Sequence, residues 1–83
     1  MEPYAVYIHE QVVEFVRAHG GGRAFRDFTQ LLGRRPFMEG DIKERDSAGF
    51  VHEIIVWERY SIAFRADHAV KEVKVSGVRL ADR

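Results

Sequence analysis

Four histidines, and arginines that outnumber lysines among thirteen basic residues, are the side chains of this chain best suited to chemistry; cysteine is absent. His9, His19, His52 and His68 fall in four different predicted elements, and none stands at helical ligand spacing from another. Zinc requires three or four convergent ligands, so no metal site is expected. His52 shares a predicted strand face with Ile54 and Val56. That pattern fits a half-buried structural histidine. It is also the one imidazole in the middle of the sheet, and imidazole is the usual proton carrier near neutral pH. Ser47, Ser61 and Ser76 lie in no strand–turn–helix elbow, so a serine hydrolase is not expected.

Arginine holds phosphate in a planar, bidentate fashion. Arg59, Arg65 and Arg79 all fall on neighbouring strands or turns of the C-terminal region. Converging, they would make a phosphate-binding face; the same residues also fit a solvated surface. Trp57, beside Glu58-Arg59, reads either as a stacking platform for a base or as a core or dimer contact. Gly20-Gly21-Gly22 leads into a helix whose N-terminus could attract an anion. The run lacks the Lys-Ser/Thr of a P-loop and the spacing of a dinucleotide fingerprint, so a sharp turn between two helices explains it better.

Periodicity supplies the elements that must position these residues. Tyr4 to His9, after Pro3, reads as a first strand with apolar residues on both faces, which suits a place inside a sheet. From Glu10 the spacing changes to three and four, and Val12, Phe15, Val16 and His19 form a helical stripe. Glu10 in the first turn complements the helix dipole, and the glycines end the helix. A second helix is expected from about Arg23 to Leu32, burying Phe25, Phe28, Leu31 and Leu32, with Gly33 as its cap and Pro36 forbidding continuation. Residues 40–46 suit a short, charged edge strand. Then comes a meander. Phe50 to Trp57 is one strand, Glu58-Arg59 breaks it, and Tyr60, Ile62 and Phe64 alternate with Ser61, Ala63 and Arg65. After Asp67-His68, Val73 and Val75 mark a last strand that Val78-Arg79-Leu80 extends. The expected fold is α+β: a strand, a two-helix hairpin, then a three- to four-stranded, mostly antiparallel sheet with the helices on one face.

Eighty-three residues make a single domain, 1–83, with a small core. Hydrophobic content of 46% and charged content of 31% are those of an ordinary globule. The lack of cysteine suits a reducing compartment, and neither a signal peptide nor a membrane-length apolar run is seen, so a cytoplasmic location without membrane association is expected. Zero net charge argues against strong non-specific binding to nucleic acid. The charge is nevertheless blocked: residues 23–36 and 59–83 are net basic, 1–22 and 37–58 net acidic. The two basic blocks make one patch if the fold brings them together.

On these residues the chain resembles the RelE/ParE superfamily, the toxic halves of type II toxin–antitoxin pairs. A first strand precedes a helical hairpin, Pro36 follows the second helix, and Gly40-Asp41-Ile42-Lys43 stands where a strand bearing lysine is common. Arg59-Tyr60-Ser61-Ile62-Ala63-Phe64 looks like the family's Gly/Asp-Tyr-Arg-x-x-Tyr strand, and Val75-Ser76-Gly77-Val78-Arg79 like its closing Val-Gly-x-Arg strand. The resemblance implies a messenger-RNA endoribonuclease acting on the ribosome and neutralised by an antitoxin. In such a reaction the 2′-hydroxyl attacks the neighbouring phosphate, and basic side chains stabilise the added charge. Arg79 then matches the phosphate-stabilising arginine, and His52 lies near a position often held by a catalytic lysine. Arg59, Arg65 and Lys43 are the further candidates for phosphate and RNA contacts, and no cofactor is implied. Ser61 stands where the family usually carries arginine. The alternative is a non-catalytic binding module on the same fold, pairing with an antitoxin-like peptide or with a second copy of itself.

Overall fold

A computed structural model describes residues 2–81. Seven elements follow one another: β1 (Ala5–Ile8), α1 (Glu10–His19), α2 (Gly22–Arg34), β2 (Ile42–Arg45), β3 (Val51–Trp57), β4 (Tyr60–Asp67) and β5 (Glu72–Leu80). The strands form one sheet in the order β1-β5-β4-β3-β2, parallel between β1 and β5 and antiparallel elsewhere. The α+β expectation holds, with four strands after the hairpin and β1 joining them to make five.

The helix hairpin covers one face of this sheet. Val12 and Val16 of α1, with Phe25, Phe28 and Leu32 of α2, meet Tyr60, Ile62 and Phe64 of β4 and Val73 and Val75 of β5 in one buried cluster. The alternation in β4 is therefore a core face against an open face. Thr29 rather than Leu31 completes the α2 stripe, because its hydroxyl is satisfied by donating to the Arg26 carbonyl at 2.8 Å. Trp57 belongs to this side too, tilted against Phe28 at 5.1 Å and donating Nε1–H to the Ala24 carbonyl at 3.1 Å.

Two boundaries differ from expectation for steric reasons. Gly33 does not cap α2; it lies buried inside it, where a Cβ would stand 3.0 Å from the Tyr4 carbonyl oxygen. The Tyr4 N–H bonds the Gly33 carbonyl at 2.8 Å, so glycine is what lets the entry to β1 touch the helix. The helix stops at Arg35, in the non-helical geometry forced on a residue before proline. The second correction concerns β1, which is an edge strand and not an interior one. Its apolar Val6 and Ile8 pack towards the helices while Ala5 and Tyr7 stay exposed, so one apolar face is all its place requires.

The triple glycine is a turn between helices. Gly20 (φ 85°) ends α1 and Gly21 (φ 76°) opens α2, both in backbone regions that glycine occupies without strain. The β3–β4 turn locks it: Tyr60 donates its hydroxyl to the Gly20 carbonyl, and Arg59 Nη1 donates to the His19 carbonyl at 2.6 Å.

A bulge in β5 sets what the open face carries. Phe64 pairs with Val75 but Ala63 pairs with Gly77, so Ser76 is an extra residue. Were Ser76 paired in an unbroken ladder, the period of two would turn Arg79 inward with Val73 and Val75; because the bulge leaves Ser76 out of the count, Arg79 pairs with Ser61 and points out.

Candidate active site

The open sheet face carries a row of polar side chains across all five strands. Glu44 pairs with His52, Arg65 with Lys74, and Lys74 with Tyr7. His52 lies across from Arg65, one step beyond the Glu53–Phe64 pair. Neighbouring strands are about 4.8 Å apart, so an imidazole, a guanidinium and an ammonium stand on three adjacent strands within the span of one small substrate. A cleft of about 400 Å³ opens over this row, lined by His52, Arg65, Lys74, Ser76, Asp46 and Tyr7 among others.

His52 is held at both ring nitrogens. Nε2 lies 2.7 Å from Asp46 Oδ2, and Nδ1 lies 3.1 Å from Ser76 Oγ. Asp46 is itself fixed, its Oδ1 accepting the N–H groups of Ala48 and Phe50, each at 2.9 Å. The His52 contact, followed by those two backbone donors, holds the Asp46 carboxyl below its ordinary range. An ionised carboxylate only accepts, so the proton between them sits on Nε2. In the neutral ring Nδ1 is then the acceptor, and Ser76 donates to it. This is the arrangement of a base aimed at a hydroxyl and oriented by a carboxylate.

The cations divide by location. Arg65 lies on the open face with its guanidinium carbon 4.2 Å from the Phe50 ring centroid. Lys74 stands beside it. Arg79 is on the same face, but its partner Ser61 is four residues from Arg65 along β4, about 13 Å at about 3.3 Å per residue. There it lines a separate shallow cleft with Glu44. Arg59 is not brought to His52: it donates to the end of α1. Neither is Lys43, whose ammonium lies 3.0 and 2.9 Å from the two Glu53 carboxylate oxygens and 3.5 Å from Glu39. Those carboxylates, Glu53 foremost, hold the Lys43 amine above its ordinary range.

The remaining histidines serve structure. The His9 ring caps α1, His19 stacks on Phe15 at 4.0 Å, and His68 lies 2.9 Å from the Tyr4 hydroxyl. Among the described residues no three metal-ligating side chains converge. Sequence reasoning missed Asp46, Ser76 and Lys74. The one available signal was the strand period that puts Lys74 and Ser76 on the face opposite Val73 and Val75; nothing local pointed to Asp46.

No protein-family model matches this chain, and no curated protein matches it. Among solved structures, the archaeal RelE–RelB complex from Pyrococcus horikoshii OT3 contains a chain that superimposes with a TM-score of 0.78 at 21% sequence identity, covering 98% of both chains. A superposition over nearly the whole of both chains shows that this chain has a RelE-like fold.

Proposed function

We propose that the open sheet face binds and cleaves RNA, and that the protein is the toxic partner of an antitoxin pair. The observation that carries this reading is the row of His52, Arg65 and Lys74 on adjacent strands, with the imidazole oriented by Asp46 and its Nδ1 already engaged by a hydroxyl. A ribose 2′-hydroxyl replaces that of Ser76 at Nδ1 and gives up its proton to the imidazole. The 2′-oxygen attacks the adjacent phosphorus, and the bond from phosphorus to the 5′-oxygen breaks. The leaving oxygen takes a proton, leaving a 2′,3′-cyclic phosphate and a 5′-hydroxyl. Arg65 and Lys74 stabilise the doubly charged intermediate, and Arg79 holds a phosphate further along the strand. General-base catalysis contributes about 10²–10⁴-fold and each well-placed donor to the developing charge about 10²–10³-fold.

Controlled expression in a bacterium tests this reading. Rapid growth arrest with cut transcripts is expected, relieved by His52→Ala and by Arg65→Ala, and weakened by Arg79→Ala. Normal growth at good soluble yield counts against the enzyme and leaves a second reading, a non-catalytic binding module. A groove of about 370 Å³ between the helices favours that second role: it is lined by Ile8, Val13, Val16 and Phe25, with Arg17 and Arg26 at its rim. Such a groove suits an apolar segment flanked by acidic side chains, as an antitoxin would present. Finding a small adjoining gene whose DNA-binding product co-purifies with this chain would support the pairing.

A further inference from the structure

We infer that the cleft at the Phe37 end of the sheet is a nucleobase site, placed to hold one base of the RNA whose phosphate lies over His52. This rests on the ribonuclease reading and extends it to a second, unassigned site. The cleft has a volume of about 380 Å³, in the range of small-ligand sites. Phe50 and Arg65 line both it and the phosphate cleft, so the two share a ridge.

Charge and shape separate their occupants. Arg65 is common to both; beyond it the phosphate cleft adds Lys74 and an Asp46 already engaged by His52 and backbone N–H groups, whereas the second cleft adds Glu39 and Glu53, which share the Lys43 ammonium. Glu53 is taken up by the Gly40 N–H and Lys43, but the exposed Glu39 carboxylate keeps acceptors for the N–H groups of a base while repelling a phosphate. The second cleft also offers flat aromatic surface. Phe37 is 67% exposed and Phe50 51% exposed. One face of Phe37 is stacked on His68, with centroids 4.3 Å apart and planes 10° from parallel. That stack pre-sets a ring that is still mostly exposed, and the Arg65 guanidinium carbon lies over the Phe50 ring at the junction of the two clefts. Rings held flat, with an arginine plane at the junction, are what single-stranded RNA uses to seat unstacked bases. A phosphate over Lys74 and a base against Phe37 thus use two chemically distinct clefts on either side of one ridge.

The test uses a dinucleoside monophosphate with 2′-deoxyribose at the attacking position, which binds without being cleaved. Nuclear magnetic resonance follows the aromatic carbons of Phe37, Phe50 and His68 and the amides of His52 and Ser76. Shifts at both groups are expected, with affinity falling about tenfold in Phe37→Ala, the size of one lost stacking contact, and retained in Phe37→Tyr. Shifts confined to His52 and Ser76 would overturn the base site and leave the ribonuclease reading intact. Shifts confined to the Phe37 cleft would keep the base site and count against the phosphate cleft. Phe37→Ala that keeps full nucleotide affinity but loses a protein partner would assign the cleft to that partner and overturn the proposal. Loss of the His68 ring shift in Phe37→Ala, with unchanged backbone amides elsewhere, verifies that the variant stays folded.

Discussion

Asp46→Asn isolates the orientation of His52 from every other property of the site. The asparagine oxygen still accepts the Ala48 and Phe50 N–H groups, so the turn between β2 and β3 survives. What changes is the atom facing the imidazole. Asp46 Oδ2, 2.7 Å from Nε2, becomes an amide nitrogen that donates. Two donors cannot face each other, so the ring moves its proton to Nδ1 and offers its lone pair at Nε2. Nδ1 then points a proton at Ser76, 3.1 Å away, and no longer serves as a base. Losing a general base costs about 10²–10⁴ in rate, and that is the expected fall in cleavage, with thermal stability little changed. Long-range ¹H–¹⁵N correlation spectra of the imidazole check the tautomer without any activity assay: Nε2–H in the parent, Nδ1–H in the variant. The contrast also depends on pH in a defined sense. The Asp46 carboxyl is held below its ordinary value of 3.8, so it is ionised at every pH at which a neutral imidazole has a tautomer to fix, and the contrast is read at or above neutrality. A parent protein with the proton on Nδ1 at neutral pH, or a variant that cleaves at the parent rate, would refute the reasoning.

Three further outcomes follow from the same geometry. If Arg65 and Lys74 each neutralise one phosphate, single-stranded RNA binding loses about 0.7 from its salt slope in Arg65→Ala or Lys74→Ala, whereas Arg59→Ala leaves the slope unchanged because its guanidinium serves the end of α1; equal slopes in all three would sink the assignment. Gly40→Ala drives a Cβ into the backbone of Ile54, which has no room to yield, and breaks the approach of β2 to β3. A cost of about 2–3 kcal/mol is expected, lowering the melting temperature by about 10 °C or more, and an unchanged midpoint in a thermal scan would contradict it. Glu53 is pushed up by burial, but the Gly40 N–H and the Lys43 ammonium outweigh this and hold it below its ordinary 4.5. Its contribution is present above that value and lost as pH falls through the lowered one, so Glu53→Gln should be less stable than the parent near neutrality and converge with it in acid; a constant gap across the titration would be the wrong sign of coupling.

The fold was largely legible because its rules are local. Tyr60, Ile62 and Phe64 alternate with polar partners and turn out buried, and three successive glycines between two apolar stripes can hardly be anything but a helical turn. Gly33 was misread for the opposite reason: its role is a contact with Tyr4, across the fold, and sequence spacing carries no trace of it. Edge position misled for β1 in the same way, since an apolar outward face reports composition and not neighbours.

The site was legible only in part, and the bulge at Ser76 explains why. Strand periodicity put His52 and Arg65 on opposite partners of one hairpin, so their juxtaposition could be anticipated from β3 and β4 alone. Arg79 could not be judged that way. An unbroken count from Val73 and Val75 sends it inward, and the single extra residue returns it to the open face while leaving Ser76 against His52 Nδ1. One irregularity thus decides two site residues at once, and it is invisible to any pattern with a period of two. Deleting Ser76 is the corresponding experiment on the fold. The deletion closes the bulge into a regular ladder in which Gly77 still opposes Ala63 and Arg79 still opposes Ser61 on the open face, so the pairing of β5 with β4 is kept while the hydroxyl facing His52 is lost. Substituting Ser76 by alanine keeps the bulge and removes only the hydroxyl, so with both variants expected to stay folded, Ser76→Ala reports what the side chain does for His52, and a melting temperature lowered in the deletion alone would show that the sheet needs the local twist of the bulge.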